Sequence, residues 1–246
     1  MKILLILITA LFANSTIAKK ISYGNLTVYL IVLEQRLSET NSTPLGYNIL
    51  LKKLLDDNIN LKYTSQARAQ RFVLNSKIAC TFPASIAALS AVSNKFNGND
   101  FIASEAVDKI GIRLYSHLPI KTLAELKGKS LLMPNGFDSS LMEKFEVSSI
   151  DYSDSELSRV KSLIQKRTDI VLSFSPDFNI ALSKIPDEEI DKYDTKIELL
   201  STTAHLICKK SNEARELINT FNSRLSKLKE SGELSTILSP YANIIE

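Results

Sequence analysis

The residues that most often carry covalent or metal chemistry are few in this chain and far apart. The two cysteines, Cys80 and Cys208, and the two histidines, His117 and His205, have no spacing typical of a metal site. No paired carboxylates suggest acid–base catalysis either. The cysteines leave open a disulfide, in an oxidising compartment, or two buried thiols. The sequence therefore predicts neither a metal ion nor a bound cofactor.

Two short turns carry residues suited to holding a small molecule. Segments 82–85 and 135–140 each follow an apolar run and precede a predicted helix. A helix N-terminus offers free N–H groups and the positive end of the helix dipole, which suit anions such as carboxylates. The hydroxyls of Ser85, Ser139 and Ser140 could donate further hydrogen bonds there, although helix capping would explain each of them as well.

Those turns must be positioned by elements that alternate along the chain in two blocks. Apolar runs rich in β-branched residues predict strands, and apolar positions on one face predict the helices between them. Such alternation is typical of parallel sheets covered by helices, so the sequence predicts an α/β fold. In the first block the predicted strands are 26–33, 59–63 and 77–82, and the helices begin near residue 44, at Ser65 and at Pro83. In the second block the predicted strands are 130–133, 147–152 and 169–174. The helices of this block begin at Lys121, Asp138, Ser153 and Pro176. Capping boxes are predicted at Thr122/Glu125 and Ser153/Glu156.

Two extended stretches, 101–115 and 196–210, are too long for one ordinary strand. We interpret each as a strand that leaves one lobe and continues into another. The helix after the second stretch has the clearest pattern in the chain, because its apolar positions form one continuous stripe. The stripe consists of Ala214, Leu217, Ile218, Phe221, Leu225 and Leu228. Gly232 is expected to end this helix before a short last helix at 233–238.

The segment MKILLILITALFANSTIA, residues 1–18, has the layout of a secretory signal peptide. Lys2 precedes an apolar run that is too short to span a bilayer, and Ala18 is a small residue before the expected cut. An uncleaved anchor is the alternative, but the polar residues after the run favour cleavage. We therefore expect a protein released into a periplasmic or extracellular space.

Composition argues against several classes of partner. The net charge is only +3 and no basic tract is present, so nucleic acid is a poor candidate. No second long apolar run exists, so stable insertion into a membrane is not expected. The length that remains after cleavage suits one large domain or two lobes of about 100 residues each.

Two long segments carry the most specific pattern in the chain. Segment 119–129 is PIKTLAELKGK, and segment 225–241 is LSKLKESGELSTILSPY. Shorter signals are Pro44-Leu45-Gly46-Tyr47, Arg68-Ala69, Lys77-Ile78-Ala79-Cys80 and Asp151-Tyr152-Ser153. Together they resemble the family 3 solute-binding proteins of the type II periplasmic class, whose members serve polar amino-acid uptake. That family carries SPIKSLADLKGKKVGV and LKADGTLAKILKKY at the corresponding places.

The resemblance implies two α/β lobes with a ligand cleft between them and a two-strand hinge. Lobe 1 would comprise residues 19–108 and 204–246, and lobe 2 residues 109–203. The hinge would lie near 106–110 and 202–206. Ligands of such a fold meet strand C-termini and helix N-termini, where the two turns described above lie.

The chain departs from the amino-acid-binding members at both charged anchors. Those members hold the ligand's α-carboxylate with an Arg where this chain has Ala87 and Ala88. They hold the α-ammonium group with an Asp where this chain has Phe174. Because burying an unpaired charge is costly, we expect a small polar solute that is not a standard α-amino acid.

The candidate ligand-binding residues lie near the predicted strand ends and helix starts. They are Arg68, Phe82, Ser85, Arg113, Phe137, Ser139, Ser140, Phe174 and Asp177. The aromatic members could stack on a flat or cationic ligand. The charged members, with Glu34 as a further candidate, could replace the lost anchors, although a solvated or structural charge is the commoner role.

The resemblance implies a monomeric binding protein that delivers its solute to the permease of an ABC transporter, with lobes that close about the hinge. An enzyme on the same fold, similar to dehydratase or lytic transglycosylase relatives, is the first alternative and needs a positioned acid or base. His205 could approach the cleft, whereas His117 is expected away from it. A stand-alone sensor is the second alternative, because both anchors are lost.

The resemblance also places the two cysteines. Cys80 ends the third strand of lobe 1, and Cys208 lies in the strand that returns beside it in the opposite direction. A slip of one residue in their register would turn the two side chains to opposite faces. Because a bridge needs such specific geometry, we expect two buried free thiols.

Overall fold

The structure, a computed structural model, describes residues 23, 25–33, 36–39, 46–92, 96–135, 137, 139–143, 145–186 and 197–239. The predicted signal peptide, residues 1–18, lies outside this part of the chain. So do the helix starts expected near residue 44 and at Asp138, and the candidate residue Glu34.

The strands of the described residues form two sheets of five. They are β1 (Thr27–Ile31), β2 (Asn60–Thr64), β3 (Ala79–Ala84), β4 (Phe101–Ala103), β5 (Lys109–Ser116), β6 (Ser130–Pro134), β7 (Ser149–Ser153), β8 (Ile170–Ser175), β9 (Ile197–Thr203) and β10 (His205–Lys209). The first sheet has the order β2-β1-β3-β10-β4, and the second has the order β7-β6-β8-β5-β9. We call the first sheet with its helices lobe 1 and the second sheet with its helices lobe 2.

Helices cover both sheets, as the α/β pattern predicts. They are α1 (Gly46–Leu54), α2 (Gln66–Asn75), α3 (Ile86–Val92), α4 (Ser140–Glu143), α5 (Glu156–Ile164), α6 (Asp177–Leu182), α7 (Asn212–Glu230) and α8 (Glu233–Leu238), with 3₁₀ turns at Gly98–Asp100 and Leu123–Leu126. Lobe 1 carries α1, α2, α3, α7 and α8, and lobe 2 carries α4, α5 and α6. The two-sheet α/β fold class expected from the sequence is therefore confirmed.

The central strands of each sheet run parallel, which brings their carboxyl ends to one edge. In lobe 1, β1 pairs in parallel with both β2 and β3. In lobe 2, β6 pairs in parallel with both β7 and β8. The loops that follow these strands therefore collect at one edge of each sheet, where ligands of open α/β sheets bind.

The chain passes between the two sheets twice. Residues 104–108 lie between β4 and β5, and Ala204 lies between β9 and β10. The two crossings are hydrogen-bonded to each other, since the N–H of Val107 donates to the carbonyl of Ala204 at 2.8 Å. The N–H of Ala204 in turn donates to the carbonyl of Asp108 at 2.9 Å. Both long extended stretches thus divide into two strands, whereas hinge motion about these residues stays a prediction.

The longest helix of the described residues, α7, buries the whole apolar stripe predicted from the sequence in the core of lobe 1. Burial of one large aliphatic or aromatic side chain contributes about 1.5–3 kcal/mol. Ser211 caps the start of α7 by accepting a hydrogen bond from the N–H of Ala214 at 3.1 Å. Gly232, with a φ of +73°, separates α7 from α8 as expected.

The sequence predicted Pro83 at the start of a helix, and this prediction is wrong. Pro83 lies within β3. The helix α3 begins three residues later, at Ile86. Proline fixes φ near the value of both helical and extended backbone, so the residue alone does not distinguish the two. The shift matters because it places Ala84 and Ser85 at the strand end.

Both predicted capping boxes are wrong in detail. The hydroxyl of Thr122 donates to the carboxylate of Glu125 at 3.0 Å and makes no capping bond to the backbone. Ser155 rather than Ser153 caps α5, where it accepts from the N–H of Ser158 at 3.2 Å. Glu156 is unavailable for capping, because its carboxylate is buried among other partners.

Cys80 and Cys208 form a disulfide, so the prediction of two free thiols is wrong. The residues are directly opposed in the antiparallel pair of β3 and β10, with Cα atoms 3.9 Å apart. The irregularity in this pair falls between His205 and Ile207, before the cysteine. The register at Cys208 therefore turns both side chains to the same face.

Candidate ligand-binding cleft

Two adjoining cavities lie between the lobes. The inner cavity has a volume of about 60 Å³ and the outer one about 280 Å³. Both are lined by Ile31, Leu33, Gln66, Phe174 and Asp177. These residues come from the end of β1 and the start of α2 in lobe 1, and from the end of β8 and the start of α6 in lobe 2. We call the two cavities together the cleft.

The inner cavity is lined mainly by apolar side chains. Its apolar members beyond the shared residues are Pro83, Ala84, Ala88, Leu89, Ile110, Ile112 and Phe137. Its polar members are Arg36, Gln70, Ser85 and Thr202, besides Gln66 and Asp177. The amide nitrogen of Gln70 is buried without a hydrogen-bond partner among the described residues. Such a lining suits a ligand with apolar surface and few polar atoms.

The outer cavity is more polar. Around the shared residues it is lined by Val32, Ser65, Pro134, Asn135, Asp154, Ser155, Glu156 and Arg159. Pro134 ends the parallel strand β6 and Asn135 follows it. Glu156 begins α5, and Ser155 caps that helix. These elements bring their polar side chains together because the carboxyl ends of β6, β7 and β8 share one edge of the sheet.

Arg36 joins the two lobes through a buried ion pair. It lies in the loop after β1, and its guanidinium donates from Nε to Oδ1 of Asp177 at 2.9 Å and from Nη2 to Oδ2 at 2.6 Å. The side chains of Arg36 and Asp177 are 1% and 4% exposed. Two parallel charge-assisted bonds of this kind are the strongest polar contact available to an arginine.

Asp108, in a crossing, and Tyr47, in lobe 1, also contact Arg36. Nη1 of Arg36 donates to Oδ2 of Asp108 at 2.9 Å and to the hydroxyl of Tyr47 at 3.0 Å. The Tyr47 hydroxyl also donates to Oδ2 of Asp108, at 2.5 Å. Burial raises the pKa of Asp108 to about 6, against the opposing influence of Arg36 and Tyr47. Burial works to lower the pKa of Arg36, but the carboxylate of Asp177 and its other partners raise it above its ordinary value.

A second buried pair lies behind the outer cavity. Oε2 of Glu156 accepts from Nη2 of Arg159 at 2.5 Å, and Oε1 accepts from the hydroxyl of Ser173. Nη1 of Arg159 donates to the carbonyl of Ser153 at 2.5 Å, while its Nε has no partner among the described residues. Burial raises the pKa of Glu156, although Arg159 and Ser173 work against that rise.

The lobes also meet where the family's carboxylate anchor is missing. The hydroxyl of Ser85 in lobe 1 lies 2.5 Å from that of Thr202 in β9 of lobe 2. Ala88 packs against the apolar cluster of lobe 2 that includes Phe137 and Phe174. Small and apolar residues thus occupy the side of the cleft where the resemblance leads one to expect a free arginine.

Four of the candidate residues from the sequence line the cleft. Ser85, Phe137, Phe174 and Asp177 all contribute to the inner cavity. The rings of Phe137 and Phe174 are 5.7 Å apart, so they form one aromatic wall in lobe 2. Ser85 also caps α3 by accepting from the N–H of Ala88 at 3.3 Å, so its capping and cleft roles coexist.

The other candidates lie elsewhere. Phe82 is fully buried in the core of lobe 1, beside Tyr47 and Phe221, because its β3 position faces the helices. Arg68 is exposed on α2, and Arg113 forms a partly exposed ion pair with Glu198. Ser139 donates to the carboxylate of Glu143 at the start of α4, the helix whose first residue is Ser140.

Arg36, Asp108, Tyr47 and Glu156 were not among the candidates drawn from the sequence. Asp108 carried one usable signal, because together with Lys109 it interrupts the extended stretch 101–115 at the expected hinge. Arg36 lies three residues after the end of a predicted strand, in a stretch with Glu34, Gln35 and Ser38, so nothing in the local sequence marks it as buried. Nothing in the sequence indicates that its partner is Asp177.

Two classes of structure are absent from the described residues. No helix there is both long and apolar enough to cross a membrane. No group of three or more His, Cys, Asp or Glu residues there is arranged to hold a metal ion.

No protein-family model matches this chain, and no curated protein sequence matches it.

Several solved structures are similar to this chain over most of its length. The ligand-binding core of GluR0 from Nostoc punctiforme, in complex with L-glutamate, has a TM-score of 0.65 at 15% identity, over 88% of this chain and 98% of that one. An ABC uptake transporter substrate-binding protein from Streptococcus pneumoniae, with bound histidine, has a TM-score of 0.63 at 14% identity, over 88% and 91%. The ancestral amino acid-binding protein AncCDT-1, a precursor of cyclohexadienyl dehydratase, has a TM-score of 0.62 at 11% identity, over 89% and 95%.

These likenesses extend over nearly the whole of each solved chain, so they apply to both lobes and not to one. At this level of identity they establish the fold and leave the ligand open. The resemblance drawn from segments 119–129 and 225–241 is thus confirmed at the level of the fold. The chain has the two-lobed α/β fold of the type II periplasmic solute-binding proteins.

Proposed function

We propose that this chain binds a small uncharged solute with apolar surface in the cleft and delivers it to an ABC transporter. The observation that carries the proposal is the lining of the inner cavity, where Arg36 and Asp177 pair with each other and the remaining members are apolar or uncharged. A charged ligand needs a counter-charge in such surroundings, whereas an uncharged one does not. The sequence led us to expect a small polar solute; the apolar lining shifts the proposal to an uncharged solute that carries apolar surface.

The same lining argues against the standard α-amino acids. An α-carboxylate would meet Ala88 and an α-ammonium group would meet Phe174, and both side chains belong to the apolar contact between the lobes. The aromatic wall of Phe137 and Phe174 instead suits a flat or aliphatic group. Gln70 and Gln66 supply amide groups for one or two polar atoms of the ligand.

The experiment is a thermal-shift screen of the purified protein against matched pairs of charged and uncharged compounds of equal size. We expect stabilisation by members of the uncharged set, reaching about 2.7 kcal/mol at 100 times the dissociation constant. Phe174→Ala should weaken that binding about tenfold, through the loss of ring contact. Phe72→Ala, which removes an exposed ring outside the cleft, is the matched control and should leave binding unchanged. Stabilisation by the charged set alone would contradict the proposal.

Secretion and two-lobe movement belong to the same proposal. We infer that residues 1–18 are removed on export, and that residues 19–108 with 204–246 form one lobe and residues 109–203 the other. Closure about 106–110 and 202–206 would bring the two walls of the cleft together around the solute. The expected partner is then the permease of an ABC transporter, to which the monomer delivers the solute.

An enzyme on the same fold is the second candidate, and Glu156 is the observation that favours it. Its carboxyl group lines the outer cavity and its pKa is raised by burial, as suits a general acid. Both of its oxygens are already occupied by Arg159 and Ser173, which is why we rank binding first. Turnover of a bound solute that Glu156→Gln abolishes, with binding retained, would favour the enzyme.

A further inference from the structure

Arg36 lines the inner cavity of the cleft and bridges the two lobes. Its loop belongs to lobe 1, where the N–H of Tyr47 donates to the carbonyl of Arg36 at 3.1 Å. Its guanidinium reaches Asp177, which begins α6 of lobe 2. Arg36 and Asp177 are 141 residues apart in sequence, and both are almost completely buried. A part of the chain itself therefore bridges the cleft.

We propose that Arg36 is a built-in ligand: its guanidinium fills a cation site formed by Asp177, Asp108 and Tyr47, and it holds the lobes closed with no solute bound. The inference builds on the proposed binding cleft, but it concerns the separation of the lobes and not the affinity for any solute. The separation of the lobes can therefore be measured, and the inference tested, even if the protein binds no solute. The chemical class that this site takes is an alkylguanidinium ion.

The site surrounds the guanidinium on three sides. Asp177 of α6 meets one edge through two parallel bonds, and Asp108 of the crossing meets Nη1. The ring of Tyr47 in α1 lies under the guanidinium, with its centroid 4.8 Å from Cζ of Arg36. This combination of paired acceptors and an aromatic face fits a planar guanidinium and does not fit an ammonium group equally well.

The position of the site explains how one side chain could control closure. Asp177 moves with lobe 2, Tyr47 moves with lobe 1, and Asp108 lies in a crossing between them. The bonds of Arg36 to all three exist together only when the lobes are close. Opening the cleft would separate Arg36 from Asp177 and break the two parallel hydrogen bonds between them.

The experiment measures lobe separation by small-angle X-ray scattering of the purified protein without added solute. We expect the wild-type chain to have the compact radius of gyration of the closed form. Arg36→Ala should increase the radius of gyration. Ethylguanidinium, which replaces the atoms that the substitution removes, should restore the wild-type value, whereas ethylammonium should not. The rescue distinguishes an emptied site from a general loss of structure.

Two further variants keep the test decisive. Arg113→Ala breaks an ion pair within lobe 2, between β5 and β9, and should leave the radius of gyration unchanged. If Arg36→Ala is unfolded by circular dichroism, the double variant Arg36→Met/Asp177→Asn removes both charges together and should be folded and open. An open wild-type chain, or an Arg36 variant that is folded and as compact as wild type, would overturn the inference.

Discussion

At the scale of single residues, burial decides what the charges of the cleft can do. Arg36 faces two carboxylates, those of Asp108 and Asp177, so the buried group would carry a net negative charge if all three were ionised. The pKa of about 6 at Asp108 relieves this excess, because the carboxyl group becomes neutral at mildly acidic pH. Oδ1 of Asp108 has no hydrogen-bond partner among the described residues, which makes the ionised form costly.

The first prediction at this scale concerns pH. Because the folded protein holds a proton on Asp108 more tightly than the unfolded chain does, the contribution of Asp108 to stability should rise as the pH falls from 7 towards 4. With the pKa at about 6, the gain between pH 7 and pH 5 is on the order of 1 kcal/mol. Asp108→Asn should lack this part of the pH dependence. Urea unfolding of both proteins at several pH values measures the difference.

Glu156 is a second buried carboxyl group that contributes to the pH dependence of stability measured in that experiment. Its pKa is also raised by burial, so it contributes a change of the same sign in both proteins. The difference between wild type and Asp108→Asn therefore isolates Asp108. Identical pH profiles for the two proteins would show that Asp108 titrates in its ordinary range.

At the scale of elements, lobe 1 depends on the pairing of β3 with β10, the strand that returns after the second crossing. The disulfide joins these two strands across a separation of 128 residues. Cross-links that close long loops restrict the unfolded chain most. The bond therefore fixes the C-terminal part of lobe 1 onto its central strands.

We expect Cys80→Ser/Cys208→Ser to lower the free energy of unfolding by about 2–5 kcal/mol. Chemical denaturation of the variant and of the wild type measures this loss. The wild type unfolded with a reducing agent is the control, and it should match the variant. Two titratable thiols in the unfolded, unreduced wild type would mean that the bridge does not form.

At the scale of the whole molecule, the described residues of the two lobes meet through apolar side chains, the hydroxyl contact of Ser85 with Thr202 and the buried pair of Arg36 and Asp177. We therefore expect calorimetry to detect no submicromolar binding of any standard α-amino acid. The physical reason is that no unpaired buried charge among the described residues of the inner cavity could offset the loss of solvent around the ligand's two charges. An uncharged compound identified in the thermal-shift screen is the positive control. Submicromolar binding of an amino acid would refute this reading of the cleft.

The sequence by itself determined the features that depend on neighbours along the chain. The alternation of apolar runs and helical stripes predicted the two α/β blocks, and the six stripe positions of α7 are all buried as expected. The left-handed backbone at Gly232 follows from the same local chemistry, because glycine adopts it without steric cost. Resemblance then supplied the two-lobed arrangement, through segments 119–129 and 225–241.

Only the tertiary structure decided the contacts between distant residues. Whether Cys80 meets Cys208 depends on a strand register that a single-residue slip would reverse. Whether Arg36 is solvated or buried against Asp177 depends on how closely two separate lobes approach each other. Local propensity carries no information on either distance, because each is set by packing summed over many residues. Phe82 and Phe174 illustrate the result: both lie near strand ends, but only Phe174 faces the cleft.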